Sequence, residues 1–376
     1  MLNKNFFSSV AVLVGGIVGV GIFGVPFVFA KAGFLTGLLF LTGLGVFNLI
    51  LNLAYGEVIL RTDKAHQLVG YAETYLGSFF KKLTFFVFLL SIYSALLAYI
   101  IVGGEFLANV LSFKFFLSAE TLSVAFFLTA SFVLAGGLKT VSAIDLFMGF
   151  LYLASIILVV VLGVDSVKLG NFSLWNREFW FLPYGVVFFA LSGMSSVVLQ
   201  REVLDGSEFN LKKSIIWGSL IPPVLYAIFA FIVVGVSGEA TSPEALSGLL
   251  VFLKPAIVIV GSVFGVLAIF TSFLNLGRVL QESFQFDFKL NKFFAWLLAL
   301  WPPFLLFLFN VRNFINVISL AGALALGAQS IIFIFIYGKV KKMGHRIPEY
   351  SLNLPIWFWY LAMATFSAGV VLTFIK

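Results

Sequence analysis

The sequence has no cysteine and only two histidines among its 376 residues. Without a thiol there is no disulfide framework, no thiolate nucleophile and no cysteine-ligated metal. His66 and His345 lie in separate charged loops, and a catalytic zinc site takes about three clustered protein ligands. Metalloenzyme chemistry is therefore not expected. Charge is equally scarce: Asp, Glu, Lys and Arg make up 10% of the chain, against 61% apolar residues. An ordinary soluble domain is about a quarter charged, so this chain has too little polar surface to face water all round. The loops are too short to hold an appended catalytic or nucleic-acid-binding domain. The net charge of +7 thus belongs to loops rather than to a surface for an anionic partner.

What the sequence has is long apolar runs. A helix needs about 20 apolar residues to cross a bilayer, and hydropathy and punctuation place eleven spans. They run approximately over 7–31, 34–60, 83–111, 121–138, 142–164, 181–203, 213–236, 256–281, 292–309, 313–337 and 354–375. The first is too long for a signal-peptide core and is read as a retained helix. With the N-terminus inside, 16 Lys and Arg fall on the cytoplasmic side and 7 outside, so the positive-inside bias predicts an N-in, C-out protein of the cell membrane.

Membrane helices that break carry the chemistry, because unwound backbone at membrane depth is tolerated only against protein or a wet cavity. Span 1 carries Gly15-Gly16-Ile17-Val18-Gly19-Val20-Gly21 and then Pro26, with Gly19 to Gly21 at mid-span. Span 6 opens at Pro183 and carries Phe189-Ala190-Leu191-Ser192-Gly193-Met194, again with a glycine at mid-span. Small residues alone serve helix packing. Here the two interruptions correspond, since each opens a block of five helices, and that correspondence points to a transporter site built from inverted repeats. An interrupted helix offers amide donors from one half and carbonyl acceptors from the other, suited to a zwitterion or a small cation.

Gly19-Val20-Gly21-Ile22-Phe23 with Pro26, and Phe189-Ala190-Leu191-Ser192-Gly193, resemble the first and sixth helices of the LeuT-type fold in the amino acid, polyamine and organocation superfamily. The layout is most similar to its permeases for aromatic and hydroxy amino acids. Thr271-Ser272-Phe273-Leu274 and Pro302-Pro303 resemble that group too. The resemblance implies an all-α, single-domain membrane protein (1–376): one repeat over about 7–164, an inverted repeat over about 181–337, and a peripheral helix over about 354–375. It also implies that Gly19, Val20 and Gly21 present amides to a substrate carboxylate. The carbonyls of Phe189, Ala190 and Ser192 at the Gly193 break would take its ammonium, and Phe189 would close over it. Helices 1, 2, 6 and 7 would rock against 3, 4, 8 and 9.

Ala268, Thr271 and Ser272 share one face of span 8 by their spacing, so a carbonyl and two hydroxyls can converge on a small alkali cation. In sodium-coupled members this set pairs with carbonyls that correspond here to Gly15 and Val18. The bland alternative is that the hydroxyls bond back to their own helix. Some proton-coupled relatives carry a fifth-helix lysine instead, and 142–164 has none. Glu57 and Glu105 are the acidic candidates near the ends of spans 2 and 3, and Asp145, Arg278 and Glu282 form a candidate inner network. Tyr93 or Tyr99, Met194 and Asn275 are further candidates for the pocket, and Asn48 and Asn52 are read mainly as ties between helices.

The expected function is secondary active transport of an amino acid by alternating access. The coupling ion is Na+ or H+, no other cofactor is implied, and the partners are the substrate and the bilayer. A passive channel and a non-transporting receptor on the same fold are the alternatives.

Overall fold

The computed structural model of this chain describes residues 4–63, 66–111, 117–136, 154, 156–204, 206–286 and 288–375. Among them the regular structure is helical. Six helices are long and apolar enough to cross a bilayer, and a bent pair adds a seventh. The bent pair is α1 (Lys4–Ile17) with α2 (Gly21–Ala32), turned by 57° at the break. The long helices begin with α3 (Phe34–Arg61), which the short α4 (Leu68–Leu76) separates from α5 (Ser78–Leu111). The expected spans 4 and 5 fall on shorter helices, α6 (Ala119–Ala135) and α7 (Ile156–Ser166). Most of 142–164, with Asp145, lies outside the described residues.

The second half opens with another interrupted span, α8 (Leu182–Ala190) and α9 (Ser196–Leu204). It continues through α10 (Leu211–Ser237), α11 (Pro255–Phe286) and α12 (Lys292–Leu308). Next comes α13 (Phe314–Leu320), which passes through a π-helical turn (Ala321–Leu326) into α14 (Gly327–Met343), and α15 (Ile356–Ile375) ends the chain. Proline starts α8 without cost because the first helical amides have no internal partner to lose.

Two groups of helices emerge from the packing. The halves α1 and α9 pack together, as do α2 and α8, and α10 and α3 close around them. The other group is α5 with α6, α11 and α12, joined by rings such as Phe127 and Phe304, stacked at 3.9 Å. The π turn touches both α8 and α5, so the α13–α14 span lies between the groups. By contrast α15 buries only Ala362, Phe366 and Gly369 and lies at the periphery.

Nothing in the 61–82 interval predicts α4. At nine residues it is shorter than any hydropathy window, and its order comes from packing on α5 and α14.

Candidate functional site

The two interrupted spans cross at their breaks, and side-chain absence is what lets them approach. A Cβ on Gly16 would collide with the Ser196 side chain, and one on Gly193 with Ile17. A Cβ on Gly21 would stand 2.6 Å from Ala190 Cα, closer than real contacts come. Positions rising from 16 to 21 thus meet positions falling from 196 to 190, an antiparallel crossing. Residues 18–20 leave the helix between α1 and α2, and 191–195 do so between α8 and α9.

The last carbonyls of a helix have no partner within it, and here buried side chains from other helices supply them. Tyr226 of α10 is completely buried. Its hydroxyl lies 3.0 Å from the carbonyl of Ile17, the last residue of α1, and 2.9 Å from that of Ala190, the last of α8. One phenol therefore ties both breaks. Asn48 Nδ2 of α3 donates to the Leu191 carbonyl at 2.7 Å, and within the break itself Ser192 Oγ donates to the Phe189 carbonyl at 2.8 Å. At the start of α2 the N-cap residue, Val20, provides no side-chain cap.

A cavity of about 190 Å³ opens beside the crossing. Gly19, Val20, Gly21, Phe189, Ala190, Ser192 and Gly193 line it, with Met194 and Tyr99. Four helix ends meet here. Those of α1 and α8 carry roughly half a negative charge each, and those of α2 and α9 roughly half a positive one. Among the described residues no formally charged side chain lines the cavity, so its charge of both signs comes from the helix ends, beside neutral polar side chains such as Asn48, Tyr99, Ser192 and Gln329.

The cavity extends from the breaks along one side only, past Gly16, Ser91, Ile92, Leu276 and Gln329. On the other side α2, α8 and the π turn are sealed by backbone contact. A Cβ on Gly322 would strike the Gly185 carbonyl, and one on Gly185 the Ser319 carbonyl. Gly322→Ala is thus expected to unseal this side. Because the chain lacks cysteine, a Ser192→Cys substitution would report it. A membrane-impermeant reagent added on the sealed side should label the introduced thiol slowly when Gly322 is kept, only as the protein cycles, and faster when Gly322→Ala is added. Equal labelling rates from that side in both would refute the seal.

The tryptophan/tyrosine permease family matches residues 2–351 of this chain. The chain belongs to that family. The permease is similar to "Glutamine transporter 2" of Aliivibrio fischeri, 23% identical over 336 residues, covering 86% of each chain. It is likewise similar to "Tyrosine-specific transport system 1" of Haemophilus influenzae, 25% identical over 371 residues, covering 92% of this chain and 91% of the relative. In fold it is similar to MhsT in complex with L-phenylalanine, with a TM-score of 0.64 at 15% identity over 99% of this chain and 98% of that one. The inward-facing conformation of Mhp1 gives 0.68 at 15% identity, over 99% and 85%. The permease has the LeuT-type fold, and it is a multi-pass membrane transporter of amino acids rather than an enzyme.

Of the two tyrosines left open by the sequence, Tyr99 of the permease reaches the cavity, with its hydroxyl 3.6 Å from the Cβ position of Gly19. Tyr93 instead donates to the Leu298 carbonyl. Asn275 is half-buried, and its neighbour Leu276 is the residue that lines the cavity. None of the five residues of the expected cation set is among those lining the cavity. Thr271 Oγ1 donates to the Ala268 carbonyl at 3.0 Å, Ser272 is half-buried beside Tyr99, and Val18 is buried. Gly15 is exposed, with open space at its Cβ position. Among the described residues no cluster of three or more His, Cys, Asp or Glu is arranged to hold a metal.

Glu57 is placed far from these groups, at the end of α3, with its carboxylate fully buried. Arg61 Nε lies at 2.8 Å and Lys341 Nζ at 3.1 Å. The Tyr337 hydroxyl donates at 2.7 Å, Ser351 Oγ at 2.8 Å and the Leu352 amide at 2.8 Å. The node joins α3, α14 and the 344–355 segment. Tyr350, in that segment, donates to the Leu53 carbonyl, and its phenol is held protonated by burial and then by the Glu57 charge. Glu105 is half-buried near Glu244 and Glu120, and Glu120 pairs with Arg312 at 2.7 Å. Arg278 pairs with Glu282 at 2.8 Å.

Proposed function

We propose that the permease is a secondary active symporter that binds an amino acid at the crossed breaks and works by alternating access. The observation that carries this reading is the one-sided cavity, sealed toward α2 and α8 by backbone contact and extended toward α1 and α9. A channel would want a continuous polar lining or rings of charge. With the N-terminus inside, this arrangement is the inward-open half of the cycle. The blocks 7–164 and 181–337 act as inverted repeats, and the α1, α2, α3, α8, α9 and α10 group moves against α5, α6, α11 and α12.

In this reading the α2 amides and Gly19 to Gly21 hold the carboxylate, and the carbonyl ends of α1 and α8 take the ammonium. The family and the relatives specific for tyrosine favour an aromatic side chain, as do the walls of Phe88, Phe188 and Phe189. Bacterial relatives favour the cell membrane.

The coupling ion in this reading is Na+. The Thr271 and Ser272 hydroxyl oxygens would converge on it with the Ala268, Gly15 and Val18 carbonyls when the two groups close on substrate. A cation that ties the groups in one state biases the state that binds substrate.

Proteoliposome uptake with counterflow tests the transport reading, since a channel gives no counterflow and a receptor no flux. A competition panel of tyrosine, phenylalanine, tryptophan and glutamine then ranks substrates. A hydroxyl oxygen that coordinates Na+ makes an ion–dipole contact of the same order as a hydrogen bond to a charged group, about 1.5–3 kcal/mol, so Thr271→Ala should weaken the apparent Na+ affinity by roughly 10- to 100-fold. Saturable uptake unaffected by Thr271→Ala, and by replacing Na+ at fixed pH, would reject Na+ and leave H+.

A further inference from the structure

A second cavity, of about 680 Å³, lies between α14 and α15, outside the helices that form the crossing. Ile334, Gly338 and Lys341 form one wall, and Trp359, Tyr360 and Met363 the other. Among the described residues no atom beyond the local helix backbone lies within 4 Å of the Cβ position of Gly338, so this glycine is a notch in the wall rather than a packing contact. The deep part is apolar. Trp357 and Tyr360, 62% and 63% exposed, mark the level at which aromatic side chains sit between hydrocarbon and water.

The mouth is basic. Residues 334–363 hold Lys339, Lys341, Lys342 and Arg346 against a single acid, Glu349. Arg346 pairs with Glu349, and Lys341 pairs with Glu57, which Arg61 also neutralises. Lys339 and Lys342 are exposed and enter no ion pair among the described residues. Lys342 stands one helical turn beyond Gly338, and Lys339 one turn beyond Phe335, which also lines the groove. An apolar trough with an aromatic rim and two unneutralised ammonium groups one helical turn from residues that line it is complementary to an amphiphile with an anionic head.

We propose that this groove binds an anionic glycerophospholipid. Its phosphate lies toward Lys339 and Lys342, and an acyl chain lies along Ile334, Gly338 and Met363. Basic pockets between membrane helices recognise such headgroups. The site is independent of the amino acid site, and because Lys341 and Tyr337 line the groove while holding Glu57, the bound lipid abuts the node that ties α3 to α14.

Native mass spectrometry of the full-length permease, loaded separately with phosphatidylglycerol and phosphatidylcholine, tests this. Phosphatidylglycerol should be retained preferentially. Each lysine near the surface contributes about fivefold, so Lys339→Ala/Lys342→Ala should weaken phosphatidylglycerol on the order of 25-fold and leave phosphatidylcholine unchanged. The matched pair Lys289→Ala/Lys292→Ala, exposed on the α11–α12 loop and at the first residue of α12, should change neither. Gly338→Leu places a side chain in open space and should abolish retention while its thermal unfolding stays that of the wild type. Equal retention of the two lipids, equal effects of the two lysine pairs, or phosphatidylglycerol retained by Gly338→Leu would overturn the proposal. A dimer that forms through α15 with no lipid bound would instead assign the groove to a second copy of the chain.

Discussion

Tyr226→Phe should lower saturable uptake by about 10- to 100-fold while leaving the amount of folded protein near that of the wild type. The ring stays, so its packing is kept. What goes is one hydroxyl within 3.0 Å of the Ile17 carbonyl and 2.9 Å of the Ala190 carbonyl. A buried acceptor abandoned by its donor costs about 1–3 kcal/mol, and each 1.4 kcal/mol is tenfold in an equilibrium. The phenol has a single proton for two carbonyls, so it serves one fully or both in part. Losing it frees the ends of α1 and α8 from their common tie, and the spacing of the carbonyls proposed for the ammonium is no longer fixed. The loss should therefore appear in apparent substrate affinity in proteoliposomes. Wild-type uptake and affinity would mean that the breaks are positioned without this bridge.

Glu57→Ala should bring the largest loss of stability, about 3–5 kcal/mol, as expected when one partner of a buried ion pair is removed. The Glu57 side chain is completely buried, while those of Arg61 and Lys341 are 18% and 29% exposed. The variant leaves both cations facing a site with no anion, and strands the Tyr337, Ser351 and Leu352 donors. Glu57→Gln keeps one acceptor oxygen and should fall between. Thermal unfolding in detergent measures the order, wild type above Gln above Ala. Limited proteolysis should find the 344–355 segment cut first in the Ala variant. An alanine variant as stable as the wild type would show that the node contributes nothing net to the fold.

The sequence made the breaks legible because glycine and proline at mid-span are local signals: Gly19 to Gly21 and Gly193 weaken their own helices whatever surrounds them. Boundaries such as Phe34–Arg61 for α3 were near those expected because hydropathy is also local. Tyr226 carried no comparable mark. It is one of 11 tyrosines, and its role depends on α10 lying across two distant breaks; a phenol at the middle of an otherwise apolar span is the only hint. Gln329 reaches the cavity after a π turn that no composition announces. For Glu57 the sequence offered coupling or pairing, and it could not show Tyr337 or Ser351 because they arrive from 280 and 294 residues away. Thr271 and Ser272 were legible as a spacing, but spacing does not say which partner a hydroxyl takes, and here Thr271 takes the Ala268 carbonyl of its own helix.

The seam between Gly185 and Gly322 has a thermodynamic consequence of its own. A seal of interdigitated leucines would lose about 0.5–1 kcal/mol of side-chain entropy for each residue immobilised on closing. Glycine has no rotamers to lose, so in the proposed cycle this side shuts with little entropic penalty and opens with little entropic reward. The balance between the sealed and unsealed forms is then left to the occupants of the cavity, and a small difference in their affinity for the two forms is enough to tip it.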